Sequence, residues 1–156
     1  MNLSLGGPFA QALNDAIDSV RAAGVVPVVA AGNKGQDVAG FSPASAKAAI
    51  TVGAITQRND SVATFSNFGS AVDILAGGDN VLSASNADNA ATKVLSGTSM
   101  ACPIVAGLAA YLMSTEGITD IDKVDARIKE LAAATGARAN NVPPNTTDLI
   151  ANNGNK

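Results

Sequence analysis

The sequence has no histidine among its 156 residues. Any mechanism that relies on an imidazole base within this chain is therefore excluded, as is any histidine-ligated metal. A single cysteine, Cys102, rules out an internal disulfide and a cysteine metal cluster. No continuous apolar run approaches about 18 residues, so no membrane-spanning helix and no membrane partner are expected. Met1 is not followed by a basic stretch and an apolar core, so no signal peptide is expected. The net charge is −3, which disfavours a basic phosphate-binding surface and a nucleic-acid partner. What is present is globular in character. Hydrophobic residues make up 47% of the chain and charged residues 15%, a balance that excludes wholesale disorder.

The hydrophobic pattern alternates between strand and helix. Asn2 to Leu5 reads as a short strand ending at Gly6-Gly7. A helix follows from about Pro8 to Ala23, with Phe9, Leu13, Ile17 and Val20 at helical spacing and Gly24 as its stop. Val25 to Ala30 is a continuous apolar run of the kind buried on both faces of a parallel sheet. Strand, helix and strand make a βαβ unit. Ala31 to Lys47 is glycine- and serine-rich loop, Ile50 to Ile55 another apolar strand, and Gln57 to Ser70 polar loop. Short strands are predicted at Val72 to Leu75, Val81 to Ser83 and Lys93 to Leu95, with Gly77-Gly78-Asp79-Asn80 as a turn between the first two. Two helices close the pattern. One runs from about Ser99 to Ser114, where Pro103 is tolerable only in the first turn. The other runs from Ile121 to Ala134, with Ile121, Val124, Ile128 and Leu131 as its apolar stripe. The tail from Asn140 to Lys156 is rich in Asn and Pro and is expected to be loosely ordered.

This is an α/β pattern, and ligands in such sheets bind beyond the carboxyl ends of parallel strands. Those ends are Ser4 to Gly7 and Ala31 to Asn33. Ser96-Gly97-Thr98-Ser99-Met100-Ala101 lies between a strand and a helix. A serine there sits among unpaired backbone N–H groups at the positive end of the helix dipole, a setting that suits a nucleophile whose intermediate carries an oxyanion. A serine at that position also serves as a plain helix cap, and Asn33 as a plain turn residue.

The string from Gly97 to Gly107, Gly-Thr-Ser-Met-Ala-Cys-Pro-Ile-Val-Ala-Gly, resembles the nucleophile motif of the subtilisin-like serine proteases. Proteinase-K-like members, especially secreted fungal alkaline proteases, are the most similar. Ala30-Ala31-Gly32-Asn33, Ser4-Leu5-Gly6-Gly7, Ser42-Pro43-Ala44-Ser45, Thr51-Val52-Gly53-Ala54 and Phe65-Ser66-Asn67-Phe68-Gly69 match further blocks in the family's order. The resemblance implies the C-terminal half of a catalytic domain, with a mostly parallel sheet flanked by helices in three layers. It implies that Ser99 is the nucleophile of a peptide-bond hydrolase. The Asn33 amide and the Ser99 backbone N–H would bind the oxyanion. Ser4, Leu5 and Gly6 would pair with the backbone of a peptide or protein substrate, while Ala31, Gly32 and Phe41 would line a side-chain pocket. No cofactor is implied for catalysis. Asp73 resembles an aspartate that holds a structural calcium, with carbonyls from the loop near Lys47 and Ala49. Secretion is implied by analogy.

The family's catalytic aspartate and histidine match nothing in this chain. The partner implied is thus an N-terminal half that carries both, without which the chain is expected to be inactive. The alternative is a non-catalytic peptide-binding fragment using the same cleft. A nucleotide-binding role is weak, because the loop at Gly32 lacks the G-x-G-x-x-G spacing.

Overall fold

The computed structural model describes residues 1–155. Along the chain follow β1 (Asn2–Leu3), β2 (Gly7–Pro8), α1 (Gln11–Ala22), β3 (Val28–Ala30), β4 (Phe41–Ser42), β5 (Ile50–Thr56), β6 (Ile74–Asp79), β7 (Val81–Ala84), β8 (Thr92–Leu95), α2 (Thr98–Thr115) and α3 (Ile121–Ala134). The apolar runs become the inner strands of one sheet in the order β1-β3-β5-β6, every pair parallel. β3 and most of β5 are buried on both faces, as their unbroken Val, Ile and Ala content demands. The architecture is α/β with helices on both sides. Ile17 of α1 packs under Val29, Ala46 and Ala49. On the opposite face α2 lies across the strands and α3 covers α2, with Val105, Leu112, Val124 and Ile128 fully buried between them.

Several expectations need correcting. The first helix starts at Gln11 and not Pro8, because Gly7–Pro8 pairs with Phe41–Ser42 in a small antiparallel ribbon. That places Phe9 outside the helix, where it is exposed. The glycines at 77 and 78 do not turn the chain. They lie inside β6, and β7 and β8 form an exposed antiparallel hairpin after it. The reason is close approach: a Cβ on Gly78 would stand 2.6 Å from the Ala54 Cβ and 2.9 Å from the Gly97 carbonyl oxygen. Glycine is what lets the sheet meet the start of α2. α2 is 18 residues long and, by length and composition alone, apolar enough to cross a membrane, although no single apolar run marks it. Here it is the helix on which the sheet and α3 pack.

The segment after Asn140, expected to be loose, is tied to the body. Ile150 bridges Leu75 and Leu149 bridges Arg138. The Leu75 N–H donates to the Leu149 carbonyl at 2.9 Å, and the Ala151 N–H to the Leu75 carbonyl at 2.8 Å. Leu149 and Ile150 pack against the two main apolar clusters, and their burial outweighs the polar composition around them. Lys156 lies outside the described residues.

Candidate active site

The carboxyl ends of β1 and β3 and the start of α2 converge on one cavity of about 620 Å³. Leu5, Gly6, Ala31, Gly32, Asn33, Phe41 and Ser99 all line it. Ser4 stands just outside, bonded to Ser99. A hollow of similar size, about 630 Å³, lies among Phe65, Asp79 and Asn141 and contains none of these groups.

Ser99 is the second residue of α2, half-buried. Pro103 sits beyond the first turn of this helix, contrary to expectation. Its missing N–H would have bonded the Ser99 carbonyl, four residues back. The Ser4 hydroxyl makes up the loss, donating to the Ser99 carbonyl at 3.0 Å. The Ser99 hydroxyl in turn donates to the Ser4 carbonyl at 3.3 Å. The segment after β1 and the start of α2 are therefore stitched together in both directions. No basic side chain is bonded to the Ser99 hydroxyl among the described residues.

Asn33 is oriented by Thr98. The Thr98 backbone N–H donates to Asn33 Oδ1 at 2.8 Å, and the Thr98 hydroxyl donates to the same oxygen at 2.9 Å. A backbone N–H only donates, so the atom it meets is the amide oxygen and the NH₂ group must face the other way. That NH₂ group and the Ser99 N–H flank the same space. A Cβ built on Gly97 would lie 3.2 Å from Asn33 Nδ2 and 3.7 Å from the Ser99 nitrogen. The Ser99 N–H is one of the donors that a helix start leaves unpaired. Two donors beside the side-chain-free face of Gly97, on residues that both line the cavity, can together bind an anion.

Two positioning residues escaped sequence reasoning. Thr98 is one: besides orienting Asn33, its hydroxyl accepts the Gly32 N–H at 3.0 Å. Asn67 is the other, almost fully buried. Its Nδ2 donates to the Ala31 carbonyl at 2.8 Å, and its Oδ1 accepts from the N–H groups of Lys34 and Gln36 at 3.0 and 3.1 Å. It thus braces the whole Ala31 to Gln36 loop. Gly32, at φ +102°, makes room for it, since a Cβ there would stand 2.5 Å from Asn67 Nδ2. The only available signal was the Phe65-Ser66-Asn67-Phe68-Gly69 block, which identified Asn67 as part of a motif without revealing its partners.

Cys102 lies fully buried one turn beyond Ser99. Burial pushes its thiol up to about 11, against opposing hydrogen bonds from the Ser4 hydroxyl and the Leu3 backbone. It stays a protonated thiol at neutral pH, the unreactive form of cysteine. Asp73 is remote from the cavity, just before β6. Its Oδ2 accepts the Thr51 N–H at 2.9 Å, and its Oδ1 pairs with the Lys129 ammonium at 2.8 Å.

Comparison with known proteins places this geometry among relatives. A model of the subtilase family matches residues 1–152. The chain is 48% identical over 155 residues to alkaline protease 1 of Aspergillus flavus, covering 99% of this chain and 38% of that protein. It is 48% identical over 154 residues to the subtilisin-like serine protease Pen ch 13 of Penicillium rubens, covering 99% of this chain and 37% of that protein. A cold-adapted subtilisin-like serine proteinase of known crystal structure superposes with a TM-score of 0.79 at 36% identity, covering 96% of this chain and 52% of that one. A protease from Pseudoalteromonas arctica superposes with a TM-score of 0.83 at 27% identity, covering 98% of this chain and 48% of that one. The chain thus spans well under half the length of these fungal relatives and about half of each solved chain.

Proposed function

Because the chain belongs to the subtilase family, we propose that it forms the nucleophile- and oxyanion-bearing part of a serine endopeptidase domain. Ser99 attacks the peptide carbonyl. The Asn33 amide NH₂ and the Ser99 N–H take the negative charge that develops on the carbonyl oxygen. The observation that carries this reading is their shared space beside Gly97, held open by the lack of a side chain there. Charge stabilisation by preset donors needs no reorganisation during the reaction. The backbone of Ser4, Leu5 and Gly6 offers an edge for an extended peptide, a known mode of recognition. Ala31, Gly32 and Phe41 form the wall that receives the side chain before the scissile bond.

An unassisted serine hydroxyl is a weak nucleophile at neutral pH and needs a neighbouring base. This chain contains no histidine. The base comes from a second segment that carries the family's aspartate and histidine and packs beside β1. The working location is extracellular, on family likeness alone.

A second reading has its own support. The Ser99 hydroxyl donates to the Ser4 carbonyl at 3.3 Å, a resting arrangement with no base. In that reading the same cleft binds peptides without cleaving them. Hydrolysis of a chromogenic peptide anilide separates the two. The chain alone is expected to show no turnover. Mixed with the N-terminal catalytic segment of the Aspergillus flavus relative, it is expected to turn over, and Ser99→Ala is expected to abolish that. Correct assembly of the two without turnover favours the binding reading.

A further inference from the structure

The locus where the family resemblance implied calcium is already furnished with cations that belong to the protein. Asp73 stands beside a hollow of about 300 Å³ lined by Ser45, Ala46, Lys47, Ala49, Ser70 and Ala71. Each oxygen of its carboxylate has a partner: the Lys129 ammonium at 2.8 Å and the Thr51 N–H at 2.9 Å. Lys129 reaches in from α3 and also pairs with Asp125 at 3.2 Å. One carbonyl of the adjoining loop, that of Ala48 between Lys47 and Ala49, is engaged too. The Arg21 guanidinium donates to the Ala48 carbonyl at 3.1 Å while pairing with Asp122 at 2.7 Å.

Calcium takes six to eight oxygen ligands, drawn from carboxylates, carbonyls and water, and it competes poorly where a protein ammonium already holds the carboxylate. Here Asp73 is the one carboxylate lining the hollow, and Lys47 lines it as well. No cluster of three or more metal-ligating side chains exists among the described residues. A divalent ion would have to displace Lys129 from Asp73 and then sit beside its charge. The residues present do not fit calcium.

We propose that this locus works without metal, and that Lys129, backed by Arg21, is a built-in cation in the place of calcium. Its task is mechanical. Lys129 ties the start of β6 to α3, and Arg21 ties α1 and the loop before β5 to the same helix. The inference concerns Asp73, Lys129 and Arg21 and does not depend on the peptidase reading.

Thermal unfolding of the 156-residue chain tests it. The unaltered chain is expected to melt within about 1 °C of the same temperature in millimolar calcium and in chelator, the scale of a small fraction of a kcal/mol in a domain this size. Lys129→Met frees the carboxylate. In chelator it is expected to lower Tm by on the order of 5 °C, and calcium is expected to recover much of that. Adding Asp73→Asn to Lys129→Met is expected to abolish the recovery, whereas Lys129→Arg keeps a cation and stays insensitive to calcium. Stabilisation of the unaltered chain by calcium that Asp73→Asn removes would overturn the proposal. So would a failure of calcium to restore either Lys129→Met or the milder Lys129→Gln.

Discussion

Replacing Asn67 with leucine is expected to cost about 3 kcal/mol of stability, roughly 1 kcal/mol for each of three lost hydrogen bonds. The side chains have similar volume, so the change tests bonding and not packing. The Ala31 carbonyl suffers most, because it loses its Asn67 partner inside a fully buried residue. Lys34 and Gln36 are exposed, so water can reach their freed N–H groups and soften the loss. The melting temperature is expected to fall on the order of 10 °C, measured by thermal circular dichroism. Hydrogen exchange is expected to quicken across residues 31 to 36 more than across β5. A fall of less than about 2 °C would mean that the loop holds its shape without this brace.

The second large effect concerns catalysis in the two-segment peptidase proposed above. Asn33→Leu removes the NH₂ donor and also the acceptor that Thr98 holds. A hydrogen bond to a charged group contributes about 1.5–3 kcal/mol, so kcat is expected to fall roughly 10- to 150-fold. KM is expected to change little, because in the proposed role the donor acts on charge that exists only in the transition state. Thr98→Val preserves the branched shape but takes the hydroxyl from both Asn33 and Gly32. It is expected to lower kcat less than Asn33→Leu, since the Thr98 backbone N–H still orients the amide. Peptide anilide kinetics on both variants check this. An unchanged kcat for Asn33→Leu would remove Asn33 from the oxyanion site.

The inner strands and the three helices were legible in the sequence because local pattern decides them. Val28 to Ala30 and Ile50 to Ile55 are apolar without interruption, and Val124, Ile128 and Leu131 repeat at helical spacing. The placement of Ser99 at a helix start after a strand was legible from the flanking pattern. What stayed hidden depends on partners distant in the chain. Asn67 braces residues 31 to 36 positions earlier. Pro103 is tolerated inside α2 because Ser4, 95 residues before Ser99, satisfies the carbonyl it orphans. Gly77 and Gly78 look like a turn in isolation, and only the approach of α2 makes them strand residues. The C-terminal segment misled for the same reason. Its composition is polar, yet Leu149 and Ile150 find apolar ground on β6. Asp73 matched a calcium position by motif, while Lys129, 56 residues later, determined what it binds.

The central claim is that Ser99 sits in a finished oxyanion site but lacks a base. Labelling by a serine-directed fluorophosphonate tests it most directly, with Ser99→Ala as the blank. The unaltered 156-residue chain is expected to label no more than that blank, and addition of the N-terminal segment from the Aspergillus flavus relative is expected to bring Ser99-dependent labelling. Strong labelling of Ser99 in the chain alone would contradict the account, because it would mean that a group already within these 156 residues activates the serine.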